Sequence, residues 1–384
     1  MILDISDKKF RHIFEDERFH LPIRWDGRDF KSTLQELFED YQDAVEREFR
    51  TEDLEELWQV CEKLIWAVHC YLNGFPAYAY YCMREVMEIL VETPLKLSYA
   101  TECQRLKGRL LGEYEEETPP LFRVTTVPDN KPYSRERTFH TPYDMRSKVS
   151  TNRYSIAGFP SLYLGTSLEL CCEEIHFDPH RSFGLAGLFE LAQPIPQMAP
   201  EIELLELSVK PQDFFEPPNR RDNELLGRED EQERSSRRNH DGAGWLKKRA
   251  VRNAYVLWYP LIAACSYIRV NKADPFAAEY IIPQLLLQWV RSEMRGNKND
   301  NNGGKENKLV GIRYFSCASV RASNMGLNYV FPTSGEWEPG KGPYCPVLAK
   351  AFLVSKPVYI HEFDSVADCE AYLKTVTDLK HIDA

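Results

Sequence analysis

Between residues 33 and 91 apolar side chains return at intervals of three and four. Residues 33–49 carry Leu34, Leu37, Phe38, Tyr41, Val45 and Phe49, and residues 54–71 carry Leu54, Leu57, Cys61, Leu64, Ile65 and Val68. This spacing lays the apolar groups along one side of a helix and predicts two amphipathic helices. A third runs from Pro76 to Val91: Pro76 suits a first helical turn, where its missing N–H is no loss, and Pro94 lies just beyond the last apolar position. Together the three make a small bundle.

The rhythm changes after the run Glu113-Tyr-Glu-Glu-Glu-Thr-Pro-Pro120, which is acidic and ends in two prolines. Beyond it, short runs with strand character (Ser161–Gly165, Ile202–Val209, Gly311–Phe315, Leu327–Phe331, Ala349–Val354) alternate with helical patterns such as Tyr280–Met294. The class is α+β. The expected division is a helical domain at 1–115 and a second domain at 121–384. Asn219 to His240 and Arg295 to Lys308 are too polar to pack and are expected to be mobile surface loops. The length of 384 residues agrees with two domains.

Charge narrows the choice of partner. The chain holds 48 Lys and Arg against 59 Asp and Glu, a net −11, so its surface as a whole repels a polyanion. Nucleic acid is therefore not the expected ligand. The excess is concentrated in residues 1–115, with 15 basic against 24 acidic side chains, which leaves an anionic small molecule acceptable to the second domain. Ten cysteines without zinc-ligand or paired spacing fit free thiols in a reducing compartment, and no metal is expected. The opening residues lack a basic stretch followed by an apolar one, and no run approaches the length of a membrane helix. A cytoplasmic location and no membrane partner follow as expectations.

The informative segment runs from Arg153 to Glu174: an Arg on a loop, a Gly-x-Pro turn, a strand through Tyr163, then a helix. Thr166 with Glu169 fits a capping box at the start of that helix, whose buried face is expected to be Leu168, Cys171, Cys172 and Ile175. Glu173 then stacks beside Glu169 away from the core, while Glu174 lies on the flank where the helix meets its neighbours. As isolated residues, two adjacent helical glutamates read as solvated carboxylates, Arg153 as an ion-pair partner, Tyr163 as a core aromatic and Ser316 as a strand-end cap.

In order along the chain, Arg123 in Leu-Phe-Arg-Val, Arg153, Tyr163 ten positions later, Glu174 eleven further and Ser316 in Gly-Ile-Arg-Tyr-Phe-Ser resemble the RES domain, named for its Arg, Glu and Ser. Trp258 to Ser266 and Glu279 to Arg291 look like the middle of the longer RES proteins, so the resemblance spans about residues 121–332. It implies a fold similar to ADP-ribosyltransferase toxins, with a twisted β-sheet core, and an activity that breaks NAD+ at the nicotinamide–ribose bond, by hydrolysis, phosphorolysis or ADP-ribosyl transfer. Such a toxin or defence effector is commonly paired with an antitoxin or other regulatory partner.

Cleaving that bond passes through an oxocarbenium-like species and calls for a carboxylate, cations for the pyrophosphate and an aromatic wall. On this reading Glu174 stabilises the ribosyl cation or orients the nucleophile, Arg153 and Arg123 take the phosphates, Tyr163 lines the pocket, and Ser316 binds ribose or nicotinamide. Tyr154, Lys148, Arg146, Gln284 and Asn328 are further binding candidates. An ADP-ribosyltransferase that modifies a protein or nucleic acid, and a non-catalytic NAD-binding module, remain alternatives.

The N-terminal helical region looks similar to the HEPN-like domains attached to some RES proteins, and Arg135-Glu-Arg-Thr-Phe-His140 matches the Arg-x4-His pattern of HEPN ribonucleases. That motif falls beyond the bundle, whereas a HEPN ribonuclease needs the pair on its own helices. No such pair stands out in residues 30–95, so the first domain is expected to regulate or to dimerise, giving a homodimer, rather than to cut RNA.

Overall fold

A computed structural model describes residues 5–92, 120–179, 181–192, 201–215, 249–271, 274–293, 308–334, 337–338 and 340–384. The polar segments 219–240 and 295–307 and the boundary run 113–119 lie outside the described residues. In chain order the helices are α1 (Asp7–Phe14), α2 (Phe30–Glu46), α3 (Glu55–Leu72), α4 (Pro76–Glu92), α5 (Leu168–Glu174), α6 (Arg249–Ala264), α7 (Ile281–Glu293), α8 (Pro346–Ala351) and α9 (Val366–Leu373). The strands are β1 (Ile23–Arg24), β2 (Leu121–Val127), β3 (Ser161–Gly165), β4 (Phe183–Leu191), β5 (Glu201–Leu207), β6 (Tyr267–Ile268), β7 (Lys308–Phe315), β8 (Leu327–Pro332), β9 (Phe352–Ser355), β10 (Val358–Tyr359) and β11 (Leu379–Lys380). The class is α+β, with the N-terminal region helical. Among the described residues no helix is long and apolar enough to cross a membrane.

The chain forms two compact units, Met1–Arg105 with Val209–Leu286, and Leu106–Ser208 with Leu287–Ala384. A single cut near residue 115 does not describe this, because residues 209–286 group with the N-terminal helices. The cause is aromatic packing. Tyr255 and Tyr259 of α6 lie against Phe14 at 5.6 and 5.1 Å, and Tyr41 of α2 lies 4.5 Å from Tyr259. Burying three phenols leaves three hydroxyls to satisfy, and each donates to a backbone carbonyl: Tyr41 to Val256, Tyr255 to Val209 and Tyr259 to Phe19. The apolar stripes Leu34, Phe38, Tyr41 and Val45 of α2 and Leu57, Cys61, Leu64 and Val68 of α3 are buried, as their spacing predicts.

The second unit is built on a nine-stranded sheet of order β11-β9-β4-β2-β3-β8-β7-β5, with β10 also on β4. All pairs are antiparallel except β5 with β7. Strand β2 pairs with β4 along its whole length, and β3 pairs with β8 along its whole length. Between β2 and β3 the ladder is one rung, Phe122 with Gly165. The sheet is thus continuous but opens at a seam beside that rung.

Over the rung sits α5. Leu168 and Cys171 join Phe122, Val124, Ala186 and Leu188 in a core that includes Cys369 and Leu373 of α9. A Cβ on Gly165 would lie 2.7 Å from Cys171 Sγ, so glycine is what lets the helix rest directly on the strand. The expected Thr166 cap is replaced by its neighbour. Ser167 accepts from the Leu170 N–H, while Thr166 clamps the start of β8, donating its N–H to the Leu327 carbonyl and accepting the Leu327 N–H on Oγ1. The expected buried face is also shorter: Cys172 is half-buried and Ile175 is exposed, because the helix ends at Glu174 and His176 turns left-handed at φ 51°. Near the C-terminus, Pro346 opens the helix α8, so the strand expected at Ala349–Val354 begins only at Phe352.

The cysteines among the described residues are free thiols, nearly all buried. Gly165→Ala should destabilise the second unit by about 1–3 kcal/mol, read as a fall in denaturation midpoint, because the added methyl meets a sulfur held in a packed core. An unchanged midpoint would mean that α5 is free to slide.

Candidate functional site

The seam gathers several polar side chains. Residues paired across an antiparallel ladder share a face. Gly165 pairs with Asn328, and Asn328 with Tyr314, which sets Phe122, Gly165, Asn328 and Tyr314 in one row across β2, β3, β8 and β7. Above that row lies the last residue of α5, Glu174, half-buried. A helix C-terminus presents unsatisfied carbonyls and disfavours a carboxylate. Here the carboxylate is held from the sheet instead: Asn328 Nδ2 donates to Glu174 Oε1 at 2.6 Å, and Asn328 is itself only 4% exposed.

Arg153 and Tyr154 reach the same place from the loop before β3. Arg153 is 9% exposed and Tyr154 is buried. The Tyr163 hydroxyl, from the middle of β3, donates to the Tyr154 carbonyl and ties that loop to the strand. The Tyr154 ring packs on that of Tyr314 at 4.6 Å, tilted by 53°. Burial drives the Tyr314 phenol well above its ordinary pKa; the negative potential of Glu174 and Tyr163 adds to this, and Arg153 opposes it. Three side chains brought from a loop, a strand and a short helix are therefore within electrostatic reach of one phenol.

Arg123 flanks the rung on the other strand. Phe122 and Val124 enter the core under α5, so the alternation of β2 sends Arg123 to the opposite side. The residue is half-buried overall, but its Nη1 is sealed from solvent and has no hydrogen-bond partner. Burial lowers the guanidinium pKa to about 10, with Tyr163 partly compensating. A sealed guanidinium nitrogen without a partner is costly in a folded chain and marks a place where an anion would be welcome.

The remaining candidates are more dispersed. Ser316, fully buried just after β7, accepts the Ala318 N–H, so its hydroxyl is engaged in a local turn. Lys148 is exposed at the end of the turn Tyr143–Lys148 and, among the described residues, makes no hydrogen bond or ion pair to the cluster. Arg146 stacks on Tyr143 and Trp337 at 5.4 and 5.5 Å. Gln284 lies on α7, in the other unit. Tyr314, which no motif singles out in the sequence, stands near the end of β7, two residues before Ser316.

The Arg-x4-His match is structural. Arg135 donates from Nε to the Val354 carbonyl at 3.0 Å and from Nη2 to Asp378 at 2.6 Å. His140 is fully buried, with Nδ1 on the Thr141 carbonyl at 2.8 Å and Nε2 accepting the Cys345 N–H at 2.9 Å. Those partners fix one neutral tautomer, and burial lowers the pKa to about 4. Among the described residues no group of His, Cys, Asp and Glu is disposed to hold a metal ion.

Over 372 residues the chain is 26% identical to a Bacillus subtilis (strain 168) protein named "Putative toxin YopC", an alignment that covers 92% of this chain and 71% of that protein. No family model matches the chain, and no solved structure does.

Two outcomes follow from these two basic side chains. Below pH 6.5 the unfolded chain takes up a proton that folded His140 refuses until about pH 4, so its contribution makes stability fall with pH through that window. In His140→Gln, denaturant titrations between pH 4 and 7 should show a shallower decline, by about 2–3 kcal/mol across the window. Arg123→Met should raise the melting temperature of the ligand-free protein, by the equivalent of about 1 kcal/mol, since it removes a sealed nitrogen that pairs with nothing. A lower melting temperature would show that the guanidinium is held by the fold.

Proposed function

We propose that this chain consumes NAD+ by breaking the nicotinamide–ribose bond, and that it acts as a toxin in doing so. The observation that carries the reading is the juxtaposition at the seam. On one side of a single backbone rung stands a guanidinium with a sealed, unpartnered nitrogen, and on the other a carboxylate held by an amide and lined by Tyr154, Tyr163 and Tyr314. A dinucleotide offers a phosphate to the unpartnered Nη1 of Arg123, a second phosphate to the Arg153 guanidinium, and a ribosyl centre that becomes cationic as nicotinamide leaves.

The division of labour follows from charge. As the C–N bond lengthens, positive charge grows on the ribosyl carbon and ring oxygen, and the Glu174 carboxylate stabilises it or orients the acceptor behind it. Asn328 keeps that carboxylate aimed, since its Nδ2 leaves the other carboxylate oxygen for the substrate. The tyrosine walls accept the flat nicotinamide and limit water near the developing cation. The motif order Arg123, Arg153, Tyr163, Glu174, Ser316 resembles that of RES domains and supports the same chemistry. The toxin role rests on the similarity to the B. subtilis protein. Loss of a central cofactor is a direct way to stop growth.

The test is chromatography of NAD+ incubated with the purified protein, with and without phosphate. Wild type should release nicotinamide, and Glu174→Gln should do so at least ~100-fold more slowly while keeping its fold. The second product names the acceptor: ADP-ribose for water, its phosphate ester for phosphate, label on a macromolecule for transfer. Intact NAD+ in every tube would overturn the proposal.

A further inference from the structure

Several tyrosine hydroxyls in this protein end on backbone carbonyls. Tyr41, Tyr255 and Tyr259 each donate to a backbone carbonyl, Tyr359 donates to the carbonyls of Asp129 and Lys131, and Tyr163 to that of Tyr154. Tyr314 does not. The residue is 9% exposed, yet among the described residues its hydroxyl makes no hydrogen bond, and it is not among the polar atoms sealed from solvent without a partner. The hydroxyl therefore faces space that a ligand or water can enter.

That space adjoins Glu174. Tyr314 pairs across the ladder with Asn328, the residue that holds Glu174 at 2.6 Å, and its ring is fixed against Tyr154 at 4.6 Å. Both neighbours are themselves anchored, Asn328 by pairing with Gly165 of β3 and Tyr154 through its carbonyl, which accepts from Tyr163. The phenol is thus rigidly placed before any ligand arrives, which is the condition under which one donor discriminates strongly.

We infer that Tyr314 is a substrate-touching residue of this site, donating its phenolic hydrogen bond to an oxygen of the ribosyl unit that lies against Glu174. The inference rests on the NAD+ reading above and adds a group to it. Burial and the adjacent carboxylate keep the phenol protonated, so it is a donor throughout the working pH range. It approaches the sugar from the sheet, whereas Glu174 approaches from the helix end, and the two together fix the face of the ribose that is presented to the acceptor.

Tyr314→Phe removes one oxygen and leaves the ring on Tyr154. Its kcat/KM for NAD+ should fall about 10- to 100-fold, and ADP-ribose should inhibit it more weakly than wild type, while the melting temperature stays within about 2 °C of wild type because no internal bond is lost. Tyr314→Leu, which removes the ring, should lower the melting temperature as well. A Tyr314→Phe enzyme within twofold of wild type, beside an inactive Glu174→Gln, would overturn this inference and leave the NAD+ reading standing. Loss of activity with a melting temperature as low as that of Tyr314→Leu would also overturn it, by showing a packing role. Wild-type protein that leaves NAD+ intact would overturn both.

Discussion

One backbone rung organises the second unit. Where Phe122 meets Gly165 the sheet is held together, and beside that rung it is free to part. Each side of the seam is stiffened by a full ladder of its own, β2 on β4 and β3 on β8, so the opening is bounded by rigid walls. The absent side chain at Gly165 brings α5 down on the rung, and the early end of that helix leaves Glu174 above the seam. Had the ladder continued, Arg123 and Tyr163 would be ordinary members of opposite sheet faces.

The two units use aromatic residues in opposite ways. In the first, phenols close a core: rings pack on rings, and every hydroxyl named there ends on a carbonyl. In the second, Tyr154 and Tyr314 pack ring on ring beside a carboxylate, and one hydroxyl is left over. Natural structures seldom leave buried polar atoms without partners unless a ligand or water completes them. The unpartnered Nη1 of Arg123 on the far side of β2 belongs to the same pattern, and between them the two groups leave a donor on each side of the seam.

Much of this was legible in the residues, for reasons that differ from element to element. The helices α2 and α3 were legible because Leu34, Phe38, Tyr41 and Val45, or Leu57, Cys61, Leu64 and Val68, repeat at the helical period and nothing competes with that signal. Strand β3 was bounded on both sides, by Pro160 and by the polar Thr166-Ser167 that follows Gly165, and its limits are those the pattern predicts. Short elements were harder. Either Thr166 or Ser167 has the chemistry to cap α5, and the choice was made by Leu327, a residue more than 150 positions away that engages Thr166. The alternation at Ala349–Val354 concealed a helical turn because Pro346 acts on the residues that follow it. Sheet order was beyond reach, since β2 and β9 flank β4 from distant parts of the chain. In the site, Glu174 and Arg153 could be picked out by the order of several weak motifs, but Tyr314 in Arg-Tyr-Phe reads as one more core aromatic. Only the cross-strand register with Asn328 reveals what stands next to it.

The thiols close the picture from an unexpected direction. Cys61, Cys171, Cys172 and Cys369 have their ionisation pushed up by burial, and Cys171, which touches the Phe122 carbonyl at 3.3 Å, belongs to the same helix as Glu174. Peroxides and electrophiles react with thiolates, and these sulfurs supply almost none. The packing that positions the carboxylate therefore also keeps the Cys171 thiol of α5 in its protonated, less reactive form.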